Sequence, residues 1–294
     1  MGLCPFYYLD VKHLISTVDN FKFICYNTYR VEGKPRQTRK EPAMSYLVFD
    51  TETTSLDKPF CYDVGYKILT PDGGEILRRH FIIEQVWHNL PLFESAYYKE
   101  KRPLYIQLMR SKKAIMDKWG YVMRTMARDI KQNCVTDAYA YNSDFDDKVF
   151  TFNCDWFKCN NPLENIPVHD IWGYASEFIT NKQEYKNFCE EHQYFTDSGN
   201  YKASAEVVYR YMEQDTEFDE AHMGAMDVDI ETEILQYCFE LGAEPGKDYK
   251  VVKILNRPRI TPYVIKVNGK IIHEGAYVKK YSRNDIYNFT ELGQ

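Results

Sequence analysis

The segment Tyr46-Leu47-Val48-Phe49-Asp50-Thr51-Glu52 constrains this chain more than any other. Apolar residues with strand character lead directly into two carboxylates spaced two apart. Side chains on a strand alternate between faces, so Asp50 and Glu52 project to the same side. Two anions held side by side repel each other unless positive charge lies between them, and a divalent cation supplies it.

Two further segments fit the same kind of site. Asn142-Ser143-Asp144-Phe145-Asp146 follows an apolar run, Ala138 to Tyr141, that reads as another strand. Asp146 then falls at a strand-to-helix junction, where α/β folds place ligands. Asp227 opens a stretch in which Ile230, Ile234, Leu235, Cys238 and Leu241 recur at helical spacing. His222 stands five residues before Asp227, well round the cylinder if one helix ran through both. The spacing therefore predicts His222 in the entering loop or first turn, free to reach an attacking water. Histidine suits proton transfer because its pKa lies near neutrality.

These segments resemble the three motifs of the DEDD (DnaQ-like) exonuclease superfamily, histidine subtype. The first motif, Asp-x-Glu-Thr-Thr-Gly-Leu, corresponds to Asp50-Thr51-Glu52-Thr53-Thr54-Ser55-Leu56. The second, Asn-x-x-x-Asp, corresponds to Asn142 and Asp146, and the third, His-x-x-x-x-Asp, to His222 and Asp227. Ser55 replaces the common Gly, and Gly224 sits where Ala is usual; neither change removes a ligand. The resemblance runs from about Tyr46 to about Leu241. It implies an α/β, ribonuclease-H-like mixed β-sheet flanked by helices. It also implies a metal-dependent 3′–5′ exonuclease releasing nucleoside 5′-monophosphates.

In that family reading Asp50, Glu52, Asp146 and Asp227 hold two Mg²⁺ ions, which Mn²⁺ can replace, and His222 is the general base. Thr53, Leu56 and Asn142 are the expected substrate-binding residues. Asp144 and Asp147 are alternative carboxylates, but the spacing from Asn142 favours Asp146. The expected partner is single-stranded or 3′-end nucleic acid, with DNA favoured. A 3′–5′ exoribonuclease of the same family, or a non-catalytic 3′-end binding module, are the alternatives. No polymerase motifs accompany the three segments, so the expectation is a stand-alone enzyme of a bacterium or bacteriophage, acting in the cytoplasm of the cell or infected host.

No apolar run approaches membrane-spanning length, and no secretory signal opens the sequence. Cysteines are scattered without paired spacing. A zinc site from Cys154, Cys159 and His169 lacks a fourth ligand at a familiar spacing, and reduced thiols are the plainer reading. The net charge of −6 looks wrong for a nucleic-acid enzyme until it is divided. Residues 246–294 carry seven Lys and three Arg against two Asp and two Glu, a balance of +6 that leaves −12 elsewhere. Such a basic tail either contacts phosphate or docks on the acidic body.

Between the motifs, Pro71-Asp72-Gly73-Gly74 predicts a hairpin joining Asp63–Leu69 to Ile76–Ile83. Leu92 to Pro103 is irregular, and its Tyr97 and Tyr98, like the following Tyr105, serve either as base-stacking platforms or as core. Ile115, Trp119, Val122, Met123, Met126 and Ile130 form a stripe that predicts one core-facing helix. His169 is expected to partner Asp170, and Ala203 to Met212 to form a helix offering Lys202 and Arg210 as phosphate contacts. Residues 44–244 would then be the exonuclease domain. Residues 245–294 would be a small basic β appendage whose Asn268-Gly269 marks a hairpin.

Residues 1–43 match nothing in the family. Val18-Asp19-Asn20 can be encoded by codons containing TTGACA, and Tyr26-Asn27 by TATAAT, at the 17-base spacing of a bacterial housekeeping promoter. Lys40-Glu41 allows a ribosome-binding sequence just before Met44. The segment is read as translated leader with Met44 as the true start, the alternative being an ordinary N-terminal extension.

Overall fold

The computed structural model describes residues 44–251 and the backbone of two later strands, 259–267 and 270–279. The leader reading of residues 1–43, the Asn268-Gly269 turn and the charge of the tail lie outside the described residues. In chain order the elements are β1 (Ser45–Thr53), β2 (Cys61–Leu69), β3 (Glu75–Ile83), α1 (Glu84–Trp87), α2 (Leu90–Phe93) and, after a 3₁₀ turn at Lys99–Lys101, α3 (Arg102–Arg110). There follow β4 (Ile115–Asp117), α4 (Trp119–Gln132), β5 (Val135–Ala140), α5 (Ser143–Phe157), β6 (Val168–Asp170) and α6 (Ile171–Ala175). Then come α7 (Gln183–Glu191), α8 (Ala205–Glu213), α9 (Gly224–Glu240), β7 (Arg259–Val267) and β8 (Lys270–Lys279).

Six strands form one mixed sheet in the order β4-β3-β2-β1-β5-β6. β1, β2 and β3 are successively antiparallel, while β5 runs parallel to β1 and β6 parallel to β5. This is the mixed α/β sheet, flanked by helices, that the motifs imply. The period of two in β1 sets its layers. Leu47 and Phe49 enter one apolar core with Trp119, Val122 and Phe150; Tyr46 and Val48 enter the other with Val228, Ile234 and Leu235. Both faces of β1 are therefore covered, as a central strand requires. Burying each such side chain contributes roughly 1.5–3 kcal/mol.

The same alternation carries Asp50 and Glu52 onto the face that meets α9, and Thr51 onto the face that meets α5. The β1–β2 register slips between Glu52 and Thr53, a bulge that redirects the strand where the first motif leaves the sheet. The expected β2–β3 hairpin is present, and its turn is tied to α9. Gly73, at φ 87°, accepts a 3.0 Å hydrogen bond from the Gln236 side chain.

Three expectations are corrected. Ile115 is half exposed and lies in β4, outside the helix, which begins at Trp119 where the Gln85 side chain accepts the backbone N–H at 3.0 Å. Leu92 to Pro103, expected to be irregular, contains the end of α2, a 3₁₀ turn and the start of α3. His169 turns away from Asp170, because neighbours on a strand face opposite ways; it meets Asp137 at 3.1 Å and Asp248 at 2.7 Å. β7 and β8 pair antiparallel, from Arg259↔Lys279 to Val267↔Lys270.

Candidate active site

The candidate residues collect where β1 ends and the helices after β5 and before the tail begin. Asp50 and Glu52 come from β1. Asp146 lies in the first turn of α5, 3% exposed, with its Oδ1 accepting a 2.6 Å hydrogen bond from the Thr51 hydroxyl. Asp144 and Asp147 on the same turn are exposed, so the structure sends Asp146 alone inward. Asp227 lies in the first turn of α9 and is 4% exposed. His222 precedes that helix in a left-handed conformation, φ 47°, as a loop residue.

Among the described residues, Glu52, His222 and Asp227 bring three possible ligand atoms within 4.8 Å of one another. Asp50 and Asp146 stand outside that tight trio but share its electrostatic field. Cys154, Cys159 and His169 form no such group, and His169 is already engaged by two carboxylates.

A close backbone approach holds the α9 end of the site in register. A β-carbon on Gly224 would stand 2.7 Å from the backbone nitrogen of Gly65, and one on Gly65 only 2.1 Å from the carbonyl carbon of Gly224. The Gly224 N–H donates to Asp63 Oδ2 at 3.0 Å, and the Tyr105 hydroxyl donates to the same oxygen at 2.8 Å. Gly224 is thus a packing requirement of this chain, and Tyr105 is fully buried core.

The electrostatics are lopsided. Burial, then the like charges of Glu231, Asp146, Asp227 and Glu52, hold the Asp50 carboxyl well above the usual carboxylate range. Burial, followed by Asp227 and Asp63, does the same to Glu52, with Lys101 opposing. Asp146 is pushed up to about 7 by burial, against the lowering influence of the Thr51 hydroxyl. Asp227 is pushed up to about 8 by burial and then Glu220. His222 moves the other way: burial, then the positive charge of Lys101, lower it. Its imidazole is therefore neutral at pH 7 and able to accept a proton.

Glu231 was not singled out from the sequence. It is 4% exposed, and burial followed by Asp146 and Asp227 raises its carboxyl. The signal was available, since Glu231 is four residues after Asp227 and shares its helix face. Asp50 Oδ2, Asp227 Oδ1 and Glu231 Oε2 are all buried without a hydrogen-bond donor among the described residues. Buried carboxylate oxygens without donors are costly unless something positive reaches them. An all-oxygen set of this kind fits a hard divalent cation such as Mg²⁺ or Mn²⁺.

The expected substrate contacts divide. Thr53 and Leu56 line a cleft of about 260 Å³ with Glu52, Ser55, Tyr98 and Phe145. Leu56 is 75% exposed there, and its carbonyl accepts from Lys148 at 2.9 Å. Ser55 closes the motif's turn through its hydroxyl, which donates to the Lys58 carbonyl at 2.9 Å. Asn142 lies apart from that lining. It caps α5 in a left-handed conformation, with its N–H donating to Asp170 at 2.8 Å. Arg210 is engaged by Glu206, Tyr194 and the Phe218 carbonyl. Tyr98, expected either to stack on bases or to join the core, shares the cleft lining and stacks on His222 with ring centroids 4.2 Å apart.

No protein-family model matches the sequence. No curated protein matches it either. Among solved structures, the chain is similar to exonuclease I, at 12% identity and a TM-score of 0.39. It is also similar to E. coli exonuclease I in complex with a 5cy-dT13 oligonucleotide, at 14% identity and a TM-score of 0.39. A third is E. coli exonuclease I in complex with a dA16 oligonucleotide, at 13% and 0.36. Each match covers 67% of this chain and 43% of the other, so the chain spans less than half the length of the structures it matches. Among the described residues no helix is long and apolar enough to cross a membrane.

Proposed function

We propose that this chain is a metal-dependent 3′–5′ exonuclease of the DEDD type, histidine subtype, releasing nucleoside 5′-monophosphates. One observation carries the reading. Oxygens of Asp50, Asp227 and Glu231 are buried with no donor among the described residues, in a site built from three ordered motif segments. A purely structural cluster of acids would be expected to bring its own donors.

Asp50, Glu52, Asp146 and Asp227 would hold the cations, with the Thr51 hydroxyl aiming Asp146. Two divalent ions bound there would stabilise charge on the scissile phosphate and on the departing 3′ oxygen. His222, neutral near pH 7, takes a proton from the attacking water. The exposed Leu56 side chain and the Thr53 backbone, on the cleft wall beside Glu52, would seat the terminal nucleotide. The partner in this reading is single-stranded or 3′-end nucleic acid, with DNA the favoured substrate.

The test uses the full chain and its Asp50→Ala variant on 5′-labelled single-stranded DNA and RNA, with Mg²⁺ or EDTA. The expected result is a ladder shortening from the 3′ end that needs the metal and is absent in the variant. Relative rates on the two substrates decide between deoxyribonuclease and exoribonuclease. Intact substrates, with tight oligonucleotide binding, would replace the enzyme reading by a 3′-end binding module.

A further inference from the structure

A general base must present one nitrogen to its proton within a few tenths of an ångström, so something must hold the imidazole of His222. Hydrogen bonding to the nearest carboxylate does not do so. Nδ1 lies 3.7 Å from Glu220, beyond hydrogen-bond length. The backbone at φ 47° is a conformation that a residue with a β-carbon keeps only when its surroundings impose it.

The surroundings are supplied by the segment between β3 and β4. The Tyr98 ring lies 4.2 Å from the imidazole, with the planes only 12° apart. Tyr97 stands edge-on to Tyr98 at 4.8 Å. The Lys101 ammonium sits 4.5 Å from the Tyr98 ring centre and donates a 2.5 Å hydrogen bond to the carbonyl of Ala221, the residue before His222. One short segment therefore grips the base twice, by ring and by backbone.

We infer that Tyr98 is the positioning residue for His222, its ring the platform that keeps the imidazole beside Glu52 and Asp227, with Lys101 clamping that platform to Ala221. What the held imidazole does rests on the exonuclease reading above; that it is held does not. A base-stacking role suits Tyr98 less well, because His222 already occupies one face of its ring. Tyr97, 83% exposed, is the ring left open to a nucleobase.

The experiment compares full-length wild type, Tyr98→Phe, Tyr98→Leu and Lys101→Met, each also in the His222→Ala background. Steady-state nucleolysis is measured alongside proton NMR of ring-labelled histidine. Tyr98→Leu should lower kcat about tenfold, the scale of one lost aromatic pair, with KM within about twofold of wild type. Tyr98→Phe, which keeps the ring, should recover most of that loss. Neither substitution should add to the effect of His222→Ala, as expected of residues acting through one group. Ring currents should hold the His222 resonances upfield in wild type and Tyr98→Phe but not in Tyr98→Leu. If Tyr98→Leu does not fold, Lys101→Met reads the same contact. A kcat loss at unchanged KM supports the clamp, and an unchanged kcat overturns it.

An effect confined to KM would overturn positioning in favour of base stacking. So would an equal loss with and without His222. Wild-type protein that cuts nothing would sink the exonuclease reading instead. The resonances then decide the platform alone: an upfield shift lost in Tyr98→Leu supports it, and identical shifts in all variants overturn it.

Discussion

Two buried carboxylate centres in this molecule differ in what surrounds them. Asp129, on α4, is 2% exposed and fully served. It accepts from the Tyr66 hydroxyl and Arg79 Nε, both at 3.0 Å, and from the Arg128 guanidinium at 3.0 Å. The centre at β1 and α9 gathers Asp50, Glu52, Asp146, Asp227 and Glu231, with three oxygens that meet no donor among the described residues. Both centres are buried and both are acidic, so burial and charge alone do not mark a site. The contrast lies in satisfaction: among the described residues one centre has its donors, and the other leaves oxygens that added positive charge would serve.

Removing a carboxylate should therefore act with opposite sign at the two places. At the unsatisfied centre, Asp50→Asn should abolish turnover by on the order of a thousandfold, the rate equivalent of several kcal/mol of charge stabilisation. The same variant should raise the melting temperature of the metal-free protein, since it removes a carboxyl whose ionisation burial and neighbouring like charges oppose. A lowered melting temperature would break the comparison. His222→Ala should cost on the order of a hundredfold or more in kcat while calorimetric cation affinity changes little; a large loss of affinity would make His222 a ligand instead of a base.

At the satisfied centre, Asp129→Ala should destabilise the fold by about 2–3 kcal/mol in denaturant titration, because it strands the buried Tyr66 hydroxyl and unpairs two guanidinium groups. Turnover per folded molecule should be unaltered. Gly224→Ala tests the packing beneath the site. Its new methyl would press on the Gly65 nitrogen, at a cost of about 1–3 kcal/mol, and a neutral result would show that β2 and α9 can separate.

The same burial makes the stability of the metal-free protein depend on pH. Asp146 and Asp227 are raised to about 7 and about 8 in the folded protein, from about 4 when unfolded. The metal-free folded state then binds more protons than the unfolded one between those values. Its stability is full below about pH 4 for these groups and falls as pH rises towards 8. Saturating Mn²⁺ should flatten that slope, which melting curves across the range would detect.

Much of this was legible in the sequence, for reasons that also explain the misses. The alternation through Tyr46 to Glu52 gives both the central strand and the shared face of two carboxylates. Five-residue spacing placed His222 ahead of α9, and the turn at residues 71–74 gave the β2–β3 hairpin. Ile115 misled because apolar spacing continued past the helix end, which a long-range contact from Gln85 sets. Adjacency suggests Asp170 as the partner of His169, but strand geometry points the two apart, and its partners lie 32 and 79 residues away. Glu231 lies outside the three motifs, and only its i+4 relation to Asp227 marks it in the sequence. The Tyr98–His222 stack joins an irregular segment to a distant loop, and no periodicity encodes that.

The most direct test of the unsatisfied centre is calorimetric titration of Mn²⁺ into the full-length protein and into Asp50→Asn and Asp129→Ala. Saturable binding in wild type and Asp129→Ala, lost or strongly weakened in Asp50→Asn, is the expected result. Wild-type protein that binds no divalent cation, or Asp50→Asn that binds as tightly as wild type, would contradict the account.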